Sequence, residues 1–379
     1  MLRELGAGRI INAVGSTTLT GGSILSKKVL AAMNEASQVY LDMPELHQKA
    51  GRYVAKMLGV DAAFITSGAA AGLVLSASAC ITRGDLEKIR RVPRTEGMRN
   101  EIIVQGMHRN MYDRNLELAG AKIVEVGDDK QTDESEFRAA FTENTAAVVY
   151  FVWDPQEGVL PLERVIAIAH EHGVPVITDA AAELPPVENL TRFLKMGSDI
   201  VIFSGGKDIA GPNDTGLILG RKELVDVCRR LGPHSYEVID PKLNPYRRTI
   251  VFTGRPMKTS KEDIVGLITA LTEYLEVDHD KRIERYERRV EKMVKALSLQ
   301  KTAKVRKIWP PYGHPRPLTI PRLELELKTP KAAQALVAGL KKGDIPILVW
   351  NIENKVFVNP QCVAEEEDAV IVSRLKKLL

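Results

Sequence analysis

At 379 residues the chain is long enough to bury a sizeable core and to fill two domains. Its 53 Lys and Arg against 49 Asp and Glu leave a formal charge of +4, too little on this length to argue for nucleic acid or an anionic membrane. Cys80, Cys228 and Cys362 are far apart and form no C-x-x-C pair. That argues against a disulfide framework or a structural zinc, and no metal site is expected. No stretch approaches the roughly 18 apolar residues that a membrane span needs. Met1–Leu5 leads into mixed polar sequence without an apolar signal core, so a cytoplasmic location is expected.

In chain order, Gly15–Ser23 is rich in Gly, Ser and Thr and reads as an irregular segment before a helix from about Ser26 to Ala36. From about Lys49 short apolar runs alternate with amphipathic stretches. The runs are Ala62–Ile65, Glu101–Val104, Lys122–Val126, Ala146–Val152, Val174–Thr178, Ile200–Phe203 and Gly216–Leu219. Helical periodicity lies between most of them, as in Glu134–Phe141 and Leu162–His172, the latter ending on Gly173. Such alternation predicts a mostly parallel sheet covered on both faces. After Pro256 the character changes. Ser260 to about Ala296 reads as one or two charged helices, followed by strands at Ala303–Ile308, Arg322–Leu327 and Lys355–Val358 and helices at Lys331–Leu340 and Glu365–Leu379. The basic clusters Lys281–Arg289 and Lys88–Arg94 read as a solvated helix face and a basic loop. We expect an N-terminal segment over the active site (1–45), a large α/β domain (46–256), and a linking helix with a small α+β domain (257–379).

Three places carry chemistry. The apolar run Val174–Thr178 stops at Asp179, followed by Ala180, Ala181 and Ala182. Ligands of open α/β sheets sit at the carboxyl ends of strands, where this aspartate falls, although a strand-ending Asp serves as often as a helix cap. The next run leads into Ser204-Gly205-Gly206-Lys207, placing a lysine 28 residues after the aspartate, one helix and one strand later. Pyridoxal phosphate needs this pair: a lysine for its Schiff base, and an acid to keep its ring nitrogen protonated. Taken alone, Lys207 reads better as a solvent-facing turn lysine; the flanking glycines and the strand-to-loop position of both partners point to function. Thirdly, Thr66-Ser67-Gly68-Ala69 feeds a small-residue helix whose N-terminus could take a phosphate, with Ser204 as a second donor. A closely packed helix cap is the competing reading. The segment is neither G-x-G-x-x-G nor a Walker A loop, which disfavours a dinucleotide or a nucleoside triphosphate. His108, directly after a strand, could stack on a ring opposite Ala181 or Ala182, or be a surface loop histidine. His170 and His172, two apart, do not face each other as metal ligands and read as exposed.

With these residues together, the chain resembles the fold-type-I pyridoxal-phosphate enzymes. More narrowly it is similar to the branch of bacterial selenocysteine synthases (L-seryl-tRNA selenium transferases) and their D-glucosaminate-6-phosphate ammonia-lyase-like relatives. The resemblance spans about Arg9 to Arg255. It rests on Ile11-Asn12-Ala13-Val14-Gly15, the Ala-rich segment after Ser67, Glu125-Val126-Gly127, and above all Phe203-Ser204-Gly205-Gly206-Lys207 through Gly211-Pro212 to Gly216–Gly220. It implies a seven-stranded sheet with a small C-terminal domain, Lys207 as the Schiff-base lysine and Asp179 as partner of the ring nitrogen. It further implies phosphate contacts from Ser67, Gly68, Ala69 and Ser204, and His108 in the stacking position. A homodimer or multiple of dimers is implied as well, with Thr253, Gly254 and Arg255 as candidates for what one subunit lends its neighbour.

About ten residues precede the Ile-Asn-Ala motif, where selenocysteine synthases carry a tRNA-binding region, and their Thr-Asn-Arg is here Asp128-Asp129-Lys130. A small substrate, an amino acid or aminosugar acid, is therefore expected in place of nucleic acid. The expected reaction is an α,β-elimination giving a 2-keto acid and ammonia, with Lys207 as base. A tRNA-linked transferase, a racemase, an aldolase, an aminotransferase and an inactive binding protein are the alternatives. Arg316 and Arg322 are candidates for the substrate carboxylate, unless they merely flank a strand, and Thr18 for lining the site.

Overall fold

A computed structural model of the chain describes residues 1–2, 4–152, 157–238, 249–311 and 313–379. The chain forms two compact units, one of residues 25–275 and one of residues 1–24 with 276–379.

The larger unit is built on seven strands: β1 Ala62–Thr66, β2 Glu101–Gln105, β3 Lys122–Val126, β4 Thr145–Phe151, β5 Val176–Asp179, β6 Ile200–Ser204 and β7 Gly216–Gly220. They lie in the order β1-β7-β6-β5-β4-β2-β3. Only β7 is reversed, antiparallel to both β1 and β6. Every apolar run singled out above is a strand of this sheet. Successive residues feed opposite faces: Ile65, Val148, Val176 and Val201 enter one core, and Phe64, Val149, Ile177 and Ile202 the other. Burial on both faces is why these strands read as continuous apolar runs and not as alternating ones.

The helix Gly68–Thr82 lies on one face and is buried at every position from Ala71 to Thr82. It can lie this close because Gly72 has no side chain; a Cβ there would stand 2.9 Å from Ile202 Cγ2 on β6. The charged stretch after Ser260 forms two helices, Lys261–Glu276 and His279–Leu297. Asp278 sets the break, its side chain accepting from the Lys281 amide at 3.1 Å as the second helix begins. A short antiparallel hairpin, Tyr236–Val238 with Thr249–Val251, was not legible from periodicity.

The smaller unit holds a four-stranded antiparallel sheet ordered Ala303–Ile308, Arg322–Leu327, Lys355–Val358 and Trp350–Ile352. Ile11–Asn12 pairs in parallel with Ile347–Leu348, so the N-terminal segment belongs to this unit's core through Ile11 and Ala13. Among the described residues no helix is long and apolar enough to cross a membrane.

Candidate active site

The carboxyl ends of β5 and β6 lie side by side, with Asp179 in register with Ile202. Two residues beyond Ile202, β6 ends at Ser204 and the chain turns through Gly205 and Gly206 to Lys207. The turn is closed by the Gly205 amide donating to the Thr215 carbonyl at 2.8 Å and the Gly211 amide donating to the Gly205 carbonyl at 2.9 Å. Both glycines are demanded by this closure. A Cβ on Gly205 would stand 2.1 Å from Thr215 Oγ1, and one on Gly206 2.4 Å from Asn213 Cα. The glycines before the lysine thus allow the loop to fold back on itself and present Lys207 at the strand end.

Asp179 Oδ1 accepts the Ala181 amide at 2.9 Å, and Oδ2 accepts no hydrogen bond among the described residues. Burial pushes the Asp179 carboxyl above its ordinary range, while the Ala181 amide and Lys207 pull it down. Burial likewise pushes Lys207 below the ordinary lysine range, against the charges of Asp179 and Glu183. The lysine is therefore biased toward the neutral amine that a nucleophile or base requires. Glu183, four residues past Asp179, was missed from the sequence. Only the turn that bonds its amide to the Ala180 carbonyl at 3.1 Å brings it within electrostatic reach of Lys207.

At the end of β1, across β7 from β6, Ser67 caps the helix Gly68–Thr82 without spending its side chain on the cap. Ser204 makes no side-chain hydrogen bond among the described residues either. Gly68 adopts φ +85°, and a Cβ there would meet nothing within 4 Å. The first turn of this 15-residue helix thus faces open space with an uncommitted hydroxyl beside it, a fit for a phosphate. Thr66 Oγ1 shapes the turn by donating to the Gly68 carbonyl at 2.9 Å. Gly216 on β7 lies against it, since a Cβ there would stand 2.4 Å from the Gly68 carbonyl carbon.

His108 ends a 3-10 turn after β2 and has no exposed surface. Its ring meets Tyr150 of β4 edge-on, with centroids 4.6 Å apart. Neither ring nitrogen has a hydrogen-bond partner among the described residues, and burial lowers its pKa to about 4. Arg109 beside it is held by Asp113 and Glu125. Ala181 is half-buried next to Asp179.

The remaining candidates have surroundings of their own. Thr253 Oγ1 donates to the Val92 carbonyl at 2.8 Å, Gly254 packs against the Leu231 carbonyl, and Arg255 is exposed. Thr18 is exposed in the smaller unit, in a short 3-10 turn. Arg322 is buried in that unit, its Nη2 donating to the carbonyls of Pro315 and Pro317. Its Nε and Nη1 have no partner, and burial lowers its pKa to about 10. Arg316 is half-buried. His170 and His172 are exposed as expected; His170 Nε2 lies 2.8 Å from Asp199 Oδ2, and His172 stacks on Phe141 with centroids 4.3 Å apart.

A lysine and a carboxylate on adjacent strand ends, beside an open helix N-terminus, suit a cofactor with an aldehyde, a basic ring nitrogen and a phosphate. Comparison with known proteins agrees. The aminotransferase class-V family matches residues 89–317. A 5'-C-glycyluridine monooxygenase-decarboxylase of a Streptomyces species is 31% identical, over 100% of this chain and 91% of its own. The D-glucosaminate-6-phosphate ammonia lyase of Salmonella typhimurium is 29% identical, over 99% of this chain and 97% of its own. A solved structure of D-glucosaminate-6-phosphate ammonia-lyase superposes with a TM-score of 0.81 at 28% identity, covering 100% of this chain and 97% of that one. The chain belongs to the aminotransferase class-V family and is a pyridoxal-phosphate-dependent enzyme with the fold-type-I architecture.

Proposed function

We propose that the enzyme catalyses α,β-elimination of a small hydroxy-amino acid or aminosugar acid, releasing a 2-keto acid and ammonia. The observation that carries this reading is the placement of Asp179 and Lys207 on adjacent strand ends, each acting on the other's charge. Full-length similarity to an ammonia lyase supports the choice of reaction.

Pyridoxal phosphate, when bound, supplies an electron sink for the pair released as a bond at the substrate's α-carbon breaks. Lys207 Nζ would anchor the cofactor covalently, and Ser67, Gly68, Ala69 and Ser204 would hold its phosphate. Asp179 Oδ2, which accepts no hydrogen bond among the described residues, would keep a proton at the ring nitrogen. His108 would set the ring's position, and Ala181 would let it lie close to the backbone. As a neutral amine, Lys207 Nζ would take the substrate's α-proton. Lys207 would return that proton to the departing β-hydroxyl, which leaves as water, and addition of water to the product enamine would give the 2-keto acid and ammonia with no net change of oxidation state. For the substrate carboxylate, Arg322 offers the Nε and Nη1 donors that it has not spent on its own backbone. Arg316 is the second candidate. We further propose a cytoplasmic homodimer, in which Thr253, Gly254 and Arg255 of one subunit serve the other's site.

The test is made on purified protein. It should carry a near-ultraviolet to visible chromophore that borohydride fixes on Lys207, located by peptide mass. An unchanged, reducible chromophore in Lys207→Ala would overturn the anchor. Hydroxy-amino acids and aminosugar acids are then screened for keto acid with equimolar ammonia. Oxygen uptake with carbon dioxide release would point instead to the chemistry named for the Streptomyces relative. Inverted configuration without keto acid would mean racemisation.

A further inference from the structure

A small cavity of about 40 Å³ lies among His47, Phe64, Arg229, His234 and Ser235, sharing no residue with the surroundings of Lys207 described above. His47, in the second turn of the helix Met43–Leu58, is 3% exposed. Its Nε2 lies 3.2 Å from Thr259 Oγ1, and its Nδ1 has no hydrogen-bond partner among the described residues. With the threonine hydroxyl donating to Nε2, the neutral ring carries its proton on Nδ1, which then lacks an acceptor. His234 Nε2 is also unpartnered. The two rings are 4.9 Å apart between centroids, and Phe64 backs His47 at 5.2 Å. Buried polar atoms left this way are costly unless something completes them.

The surrounding charge says what would complete them. No carboxylate lines the cavity among the described residues. Arg229 stands in its wall and acts on His47, while Arg255 and Lys258 act on His234. Asp226, outside the lining, takes one bond from Arg229 Nη2 at 3.0 Å. Cations crowding two histidines disfavour a metal ion. They favour an anion, which would supply an acceptor to His47 Nδ1 and draw a proton onto His234 Nε2. Of the lining residues, His234 and Ser235 are only half-buried.

We propose that this cavity binds a small oxyanion of sulfate or phosphate size, held by Arg229 and by the ring nitrogens of His47 and His234. Its lining shares no residue with the phosphate site proposed for Ser67, Gly68, Ala69 and Ser204, and the proposal does not depend on which reaction the enzyme catalyses.

The test uses the cofactor-loaded enzyme, so that the cofactor's own phosphate occupies its place. Sodium sulfate, which keeps its charge across the pH range, is titrated against the histidine ring ¹⁵N resonances, with sodium chloride at equal ionic strength as control. His47→Asn and His234→Gln assign the signals. Saturable movement of both rings by sulfate alone is expected, with binding weakened at least tenfold in Arg229→Gln and kept within a few-fold in Arg229→Lys. Should Arg229→Gln fail to fold, the His234→Gln protein carries the comparison through the His47 signal, with the same tenfold weakening expected. Rings unmoved by sulfate, moved equally by chloride, or moved by zinc and not by sulfate would each overturn the proposal.

Discussion

Asp179 and Lys207 act on each other's charge because β5 and β6 are neighbours, and each opposes what burial does to the other. Burial raises the carboxyl and lowers the ammonium, while their mutual attraction works the opposite way on both. A site balanced in this manner is prepared to exchange protons at modest cost.

Asp179→Asn keeps an acceptor for the Ala181 amide, now at 2.9 Å, so the strand end should hold its shape. It cannot keep a proton at the ring nitrogen. We expect kcat/KM to fall by about 10²–10³ with the cofactor still bound. Steady-state kinetics on protein whose chromophore has been quantified would decide this, and a loss below tenfold would remove Asp179 from that role.

Ser67→Ala separates folding from cofactor binding. A capping serine ordinarily contributes about 1 kcal/mol to its helix, but Ser67 makes no side-chain cap bond. The apo-protein should therefore keep its stability within about 0.5 kcal/mol. Loss of one bond to a charged phosphate, worth about 1.5–3 kcal/mol, should weaken cofactor binding tenfold or more. Urea unfolding and a cofactor titration measure the two effects.

Gly216→Ala tests the floor of the same turn. Its Cβ would press on the Gly68 carbonyl carbon from 2.4 Å, backbone against backbone. Overpacking of this kind costs about 1–3 kcal/mol, and the shifted helix start should also loosen the cofactor. Retention of both stability and cofactor affinity would mean that β7 does not support the phosphate turn.

The His108 ring titrates near pH 4 in the fold and near 6.5 when unfolded. Above pH 6.5 both states are neutral and the native protein keeps its full stability. As the pH falls, the unfolded chain takes up the proton first, so stability is lost between about 6.5 and 4, by about 3 kcal/mol at most. His47, also lowered to about 4, adds a loss of the same sign. His108→Phe keeps an aromatic edge for Tyr150 and removes two unpartnered nitrogens. Its urea midpoint should therefore gain on the parent protein's as the pH drops through that window. Parallel profiles would show that His108 is not held neutral by the fold.

The sequence by itself determined the seven strands of the large sheet, because a sheet covered on both faces needs continuous apolar runs, and these stand out between polar helices. It also singled out Asp179 and Lys207 as candidates, since a carboxylate and a glycine-flanked lysine follow successive apolar runs, one helix apart. Only the tertiary structure decided which strand is reversed, that Glu183 acts on Lys207, and that His108 lies sealed against Tyr150. Those facts depend on contacts between residues far apart in the chain, which leave no periodicity behind. The glycines fall between the two. Gly205 and Gly206 were visible as a motif, but the reason for them, the return of Asn213 and Thr215 onto the turn that presents Lys207, appears only once the chain has folded.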